Sequence, residues 1–202
     1  MKIKICGITN LEDALLCEKL GADALGFIFY NESKRYVTPE SAKDIIKQLS
    51  AFTIKVGVFV NESSENINKI SKIAGLNLVQ LHGDEKPEQL HEINLPEIKA
   101  FRVGDNFNFD ILDDYQNCYY LLDTYSTSSY GGTGNTFNWS IIPSEIRKKI
   151  ILSGGISSAN ISAVINEINP YAVDVSSSLE EYPGKKSESK LLEFFNKVRG
   201  NN

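Results

Sequence analysis

The sequence predicts a closed (β/α)8 barrel. Three observations point there. Short apolar runs alternate with longer polar-periodic runs from end to end, which implies a parallel sheet with helices outside it. Eight such pairs favour closure over an open sheet. The 202 residues sit at the lower bound of that fold, and no linker or low-complexity block divides them, so residues 1–202 read as one domain. An open doubly wound sheet is the alternative, but no G-x-G-x-x-G follows the first strand, which weakens a dinucleotide reading.

The elements follow in order. Lys2 to Cys6 reads as a strand. Thr9 then opens a helix with Glu12 as its capping-box partner, and Gly21 stops it. Ala24 to Phe29 is the second strand, and Thr38 caps the next helix with Pro39 at its first position. Lys55 to Val60 is the third strand, followed by a helix from Ser64 to Ala74 that ends at Gly75. Leu78 to Leu81 is the fourth, with a short helix from Pro87. Ile98 to Arg102 is the fifth, with a weak helix over Phe109 to Tyr115. Tyr119 to Asp123 is the sixth, with a short helix from Trp139 to Ile146. Ile150 to Leu152 is the seventh, and Ser158 caps a helix to Ile168. Ala172 to Val175 is the eighth, and the last helix runs from Glu188 to Val198. Two strand-to-helix loops are long, Tyr30–Thr38 and Thr124–Asn138; Tyr130-Gly131-Gly132-Thr133-Gly134 in the second suits a lid.

Composition narrows the function. With 42% hydrophobic and 23% charged residues the chain is an ordinary globular one, able to bury roughly 70% of its unfolded surface. A net charge of -5 argues against nucleic acid as a partner, yet a local cationic cluster can still hold a small anion. No apolar run approaches the ~20 residues of a membrane helix, and MKIKICGIT has no signal-peptide core. Three widely spaced cysteines make neither a disulfide framework nor a zinc site. A reduced, cytoplasmic protein with no membrane partner is the expectation.

Strand parity sorts the candidate site. Ile3 and Ile5 share the helix-facing side, so Lys4 and Cys6 point into the barrel with Cys6 at the C-terminal mouth. The same parity groups Gln80 with His82, Leu121 with Asp123, and Asp174 with Ser176. So polar an interior is costly unless paired, so Lys4 is expected to meet an inward acid such as Asp174. Cys17 reads as helix packing and Cys118 lies at the far end. Cys6 alone can serve as base or nucleophile, given nearby cations. Asp123 closes an apolar strand and suits a general acid. Arg35, in the long second loop, can fork onto a carboxylate. Gly154 and Gly155 after the seventh strand, with Ser176, Ser177 and Ser178 after the eighth, form a phosphate signal. One mouth histidine without matching ligands argues against a metal.

In order along the chain stand Lys4-Ile5-Cys6-Gly7-Ile8-Thr9, Gly21-Ala22-Asp23-Ala24-Leu25-Gly26-Phe27 and Ser33-Lys34-Arg35-Tyr36-Val37. Val56-Gly57-Val58-Phe59-Val60-Asn61 and Val79-Gln80-Leu81-His82-Gly83-Asp84-Glu85 follow. Gly131-Gly132-Thr133-Gly134, Phe137-Asn138-Trp139, Ser153-Gly154-Gly155-Ile156 and Val173-Asp174-Val175-Ser176-Ser177 complete the set. This ordered set resembles the phosphoribosylanthranilate isomerase family from Lys2 to about Lys197. The resemblance implies a (β/α)8 barrel that performs an Amadori rearrangement of a phosphosugar substrate in tryptophan biosynthesis, without metal or organic cofactor, as monomer or homodimer. It implies Cys6 as general base, Asp123 as general acid and Arg35 as the contact for the anthranilate carboxylate. His82 and Asp174 support the substrate, and Gly154, Gly155, Ser176, Ser177 and Ser178 hold its phosphate. The chain departs from the family pattern at Ser178, where Gly is common, and at Ser187, where Asp is common. Ser178 carries a Cβ that can restrict backbone approach or a hydroxyl that can donate. A histidine-pathway isomerase would place Asp where Cys6 stands. Indoleglycerol phosphate synthase would need a Lys and Glu pair at the strand ends. A phosphosugar-binding protein without catalysis is the other rival.

Overall fold

The computed structural model describes residues 1–124 and 136–200. Eight parallel strands close in sequence order, and the first pairs with the last. They are β1 (Lys2–Cys6), β2 (Ala24–Ile28), β3 (Ile54–Phe59), β4 (Leu78–Leu81), β5 (Glu97–Val103), β6 (Tyr119–Thr124), β7 (Ile150–Leu152) and β8 (Ala172–Val175). Outside the ring lie α1 (Leu11–Leu20), α2 (Pro39–Ile46), α3 (Ser64–Ala74), α4 (Pro87–Leu90), α5 (Ile161–Ala163) and α6 (Glu188–Val198). The proposed lid, Tyr130 to Gly134, lies outside the described residues.

Alternation along each strand builds two cores. Helix-facing residues such as Ile3, Ile5, Leu25, Phe27 and Leu122 join the large core under the helices. The opposite parity fills the barrel with a small plug of Val56, Ile98, Ala100, Leu121, Ile151 and Ala172. Above that plug, toward the C-terminal ends of the strands, the interior turns polar.

Local chemistry explains where helices start. The α2 cap is Thr38, which accepts from the Ser41 N–H with Pro39 following, as the sequence predicts. The α1 cap is not Thr9. Asn10 accepts from the Asp13 N–H at 2.9 Å, and its amide donates to the Asp13 carboxylate at 2.8 Å, so the reciprocal partner is Asp13 rather than Glu12. Thr9 is engaged elsewhere, its hydroxyl donating to the Gly184 carbonyl.

Two expected helices are absent as drawn. Trp139 to Ile146 forms only a single 3-10 turn, Trp139–Ile141. Ile142 is extended because Pro143 follows it, and the residue before a proline avoids the helical region. The expected helix from Ser158 begins at Ile161 and widens into a π turn over Val164–Ile168. Asn160 holds the start back, because its side chain accepts from the Ser157 N–H and donates to the Gly155 carbonyl.

A hairpin that the sequence reading did not foresee, β9 (Glu180–Tyr182) with β10 (Lys185–Lys186), follows β8. The isolated bridge from Ile28 to Tyr36 folds the long second loop back toward the barrel.

Candidate active site

The polar upper interior is built from the ends of β1, β4, β6 and β8. Lys4 lies beside Asp174 in the strand register, and its ammonium donates to the Asp174 carboxylate at 2.8 Å. Both side chains are about 95% buried, so the expected pairing of Lys4 with an inward acid holds. Burial alone would push the Lys4 ammonium down, but the Asp174 charge and contact with Cys6 hold it above its ordinary range. Cys6 is the next inward residue, 6% exposed. A Cβ on the neighbouring Gly26 would lie 2.7 Å from the Cys6 Sγ and 3.2 Å from the Lys4 Cε, so thiol and lysine share the space that this glycine leaves. Burial pushes the Cys6 thiol up, and the charges of Lys4 and Lys186 pull against it without reversing the shift. Burial also raises the other two cysteines, Cys17 to about 12 and Cys118 to about 11. They remain inert thiols, in line with the packing role expected for Cys17.

Across the mouth, with β8 and β7 between, stands Asp123. It is 4% exposed. One carboxylate oxygen accepts from the Thr124 N–H at 2.8 Å, and the other lies 3.2 Å from His82 Nε2. Gly154 permits this packing: its φ is +83°, and a Cβ there would fall 2.9 Å from Asp123 and closer still to Thr124.

Arg35 reaches the same mouth from the second loop. It lies over Gly7, where a Cβ would sit 2.5 Å from its Cδ. Its Nε and one Nη fork onto the Glu180 carboxylate at 2.8 and 2.6 Å, so it is not a solvated loop cation. Glu180 is in turn held by Lys186, whose ammonium donates to it at 2.9 Å and to the Cys6 carbonyl at 2.6 Å. Burial pushes the Glu180 carboxyl up, but the Arg35 hydrogen bond and the Lys186 charge outweigh it and hold it below its ordinary range. Strand parity did not reveal Glu180 or Lys186, because both lie on the hairpin after the last barrel strand. The signal that could have found them is the pair of charges flanking the Pro183-Gly184 turn.

The loops after β7 and β8 converge. Gly154 and Gly155 both have positive φ, and their N–H groups find no acceptor among the described residues. Ser176 donates to the Cys6 carbonyl at 3.0 Å. Ser178 donates to the Ile156 carbonyl at 2.6 Å and so ties the two loops together. It stands outside the positive-φ set, so a side chain costs no backbone strain there. Ser187 leads into α6 without a side-chain cap, its hydroxyl 3.1 Å from that of Ser189. Among the described residues no three His, Cys, Asp or Glu side chains converge as a metal-ligand set, and no helix is long and apolar enough to cross a membrane.

The family model for N-(5'-phosphoribosyl)anthranilate isomerase matches residues 3–197. The chain belongs to this family. Relatives named N-(5'-phosphoribosyl)anthranilate isomerase include one from Pelobacter propionicus, 49% identical over 96% of this chain and 93% of its own length. Another, from Thermotoga neapolitana, is 47% identical over 99% of both. Among solved structures, phosphoribosyl anthranilate isomerase from Thermotoga maritima superposes with a TM-score of 0.90 at 40% identity, covering 99% of each chain. A structure of the family's enzyme in complex with reduced 1-(o-carboxyphenylamino)-1-deoxyribulose 5-phosphate gives 0.88 at 40% identity over 99% of each. The expected barrel is therefore the family's own fold.

Proposed function

We propose that the chain catalyses the Amadori rearrangement of N-(5'-phosphoribosyl)anthranilate to 1-(2-carboxyphenylamino)-1-deoxyribulose 5-phosphate, the isomerase step of tryptophan biosynthesis. The observation that carries this reading is the inward pair at the barrel mouth: Cys6 beside the buried Lys4 ammonium, and Asp123 bonded to His82 across the ring. A general acid and a general base on facing strands are what the reaction requires.

Asp123, protonated, gives its proton to the furanose ring oxygen. The C1'–O bond breaks as the anthranilate nitrogen lone pair forms the Schiff base. Cys6, as thiolate, removes the proton from C2', and the electron pair neutralises the iminium to an enolamine. Loss of the C2' hydroxyl proton and protonation at C1' give the keto product. Each positioned proton transfer contributes about 10²–10⁴-fold. Lys4 opposes the burial that holds the Cys6 thiol up.

Arg35 receives the anthranilate carboxylate on the guanidinium edge that Glu180 leaves open, since Nη1 has no partner among the described residues. The unbonded N–H groups of Gly154 and Gly155, with the Ser176–Ser178 turn, take the phosphate. His82 and Asp174 face the sugar. Three free cysteines suit a reducing compartment, so cytoplasmic action belongs to the same reading. A monomer and a homodimer both fit it, and sedimentation velocity separates them.

The test is loss of substrate fluorescence, with substrate generated in place and divalent metal chelated. Rapid loss in the wild type, abolished in Cys6→Ser, is the expected result. No loss, with binding of the reduced product analogue retained, would make the chain a phosphosugar-binding protein. Arg35→Ala should weaken that binding; unchanged affinity and turnover would remove the clamp.

A further inference from the structure

Gln80 is an inward polar residue just below the mouth that the acid–base steps leave unused. It is 1% exposed. In the barrel register it lies between Val58 of β3 and Ile98 of β5, which are both apolar. An aliphatic side chain would fill that place without burying an amide. The amide instead places its nitrogen 2.8 Å from His82 Nδ1, while its oxygen is buried with no hydrogen-bond partner among the described residues. A buried unpaired carbonyl costs stability, so its presence calls for an explanation beyond packing.

The contact has a directional consequence. A neutral imidazole carries one proton, and the hydrogen bond to one ring nitrogen decides which nitrogen holds it. An amide N–H pointing at Nδ1 requires a lone pair there. The proton is then on Nε2, which faces the second carboxylate oxygen of Asp123 at 3.2 Å. With the Thr124 N–H on the first oxygen, both oxygens of Asp123 are aimed by donors. Gln80, His82 and Asp123 thus form a chain from the apolar plug to the acid.

We propose that Gln80 is a positioning residue for Asp123: its amide assigns the His82 proton to Nε2, and that N–H orients the carboxyl that protonates the substrate. The role deepens the isomerase reading and rests on it. Gln80 touches no reacting atom.

The chain has two histidines, so 15N-histidine spectra resolve the tautomer of His82 against His91 at the exposed end of α4. In the wild type, Nδ1 should carry the lone pair and Nε2 the proton. Gln80→Met keeps volume but removes the donor; the two tautomers should mix, kcat should fall about 10- to 100-fold, as a small misplacement of a catalytic group can cause, and affinity for the reduced product analogue should hold. Gln80→Glu keeps shape but presents only acceptors; it should move the proton to Nδ1 and lose kcat as well. A merely structural Gln80 would leave the tautomer unchanged in the folded Met variant, and that result overturns the proposal. So does a changed tautomer with full kcat in either variant. A wild type that shows the Nε2–H tautomer yet turns nothing over overturns the isomerase reading and leaves only the hydrogen bond.

Discussion

The lower and upper halves of the barrel interior follow the same inward parity and share strands β6 and β8, yet they do opposite things. The lower half is an apolar plug of Val56, Ile98, Ala100, Leu121, Ile151 and Ala172. The upper half holds Lys4, Cys6, Gln80, His82, Asp123 and Asp174, all buried. The plug stabilises by removing apolar area from water, at roughly 25 cal/mol per Å². The upper layer offers little of that and carries desolvated charges, which add net stability only when every partner is in place. On β6 the two halves meet in one strand, with Leu121 in the plug and Asp123 at the mouth. This barrel separates stability from chemistry by layer rather than by segment of sequence.

That separation can be broken in graded ways. The largest effect belongs to the mouth. Cys6→Ser and Asp123→Asn should each lose on the order of 10²–10⁴ in kcat while melting close to the wild type; near-normal turnover in either removes that residue from its role. Next comes the buried ion pair. Lys4→Met leaves Asp174 buried without its cation and should cost about 3–5 kcal/mol in urea unfolding. Lys4→Met combined with Asp174→Leu should recover most of that stability and remain inactive. A double variant no more stable than the single one would show that the pair is not the source of the cost.

The plug gives the complementary case. Leu121→Ala should cost about 2–5 kcal/mol through the cavity it leaves, with kcat per folded molecule retained. A kcat loss as large as that of Asp123→Asn would mean that the layers are mechanically coupled. The hairpin comes last, because its effect is read as a change with pH. Glu180 has a folded-state pKa below the ordinary 4.5, so its contribution is complete above pH 4.5 and fades as pH falls through the lower folded value. The stability difference between wild type and Glu180→Gln should therefore shrink in acid below that pH. A difference independent of pH would mean that Glu180 is not ionised in the fold.

Much of this architecture is legible before folding because its signals are local. Alternation marks the strands, Thr38-Pro39 marks the start of one helix and Gly75 the end of another, and both appear where expected. Where two local signals compete, the reading slips. Thr9 and Asn10 are both good caps, and the distant Gly184 carbonyl decides between them by taking the Thr9 hydroxyl. Pro143 ends the Trp139 turn within one turn of its start.

The candidate site divides the same way. Period-two geometry within a strand is enough to put Lys4 and Cys6 on one face and Leu121 and Asp123 on another, and to ask for an acid opposite Lys4. What strand periodicity cannot supply is contact with residues that lie off the barrel strands. Arg35 meets Glu180 across 145 residues, and Lys186 meets the Cys6 carbonyl across 180. Neither Glu180 nor Lys186 lies on a barrel strand, so no periodicity foretells these contacts. The eight barrel strands, their closure, the inward faces and the family were all legible from the sequence. The contacts of Arg35 with Glu180 and of Lys186 with the Cys6 carbonyl came from the tertiary structure alone, because closing the ring joins β1 to β8 and folds the hairpin after β8 against the mouth.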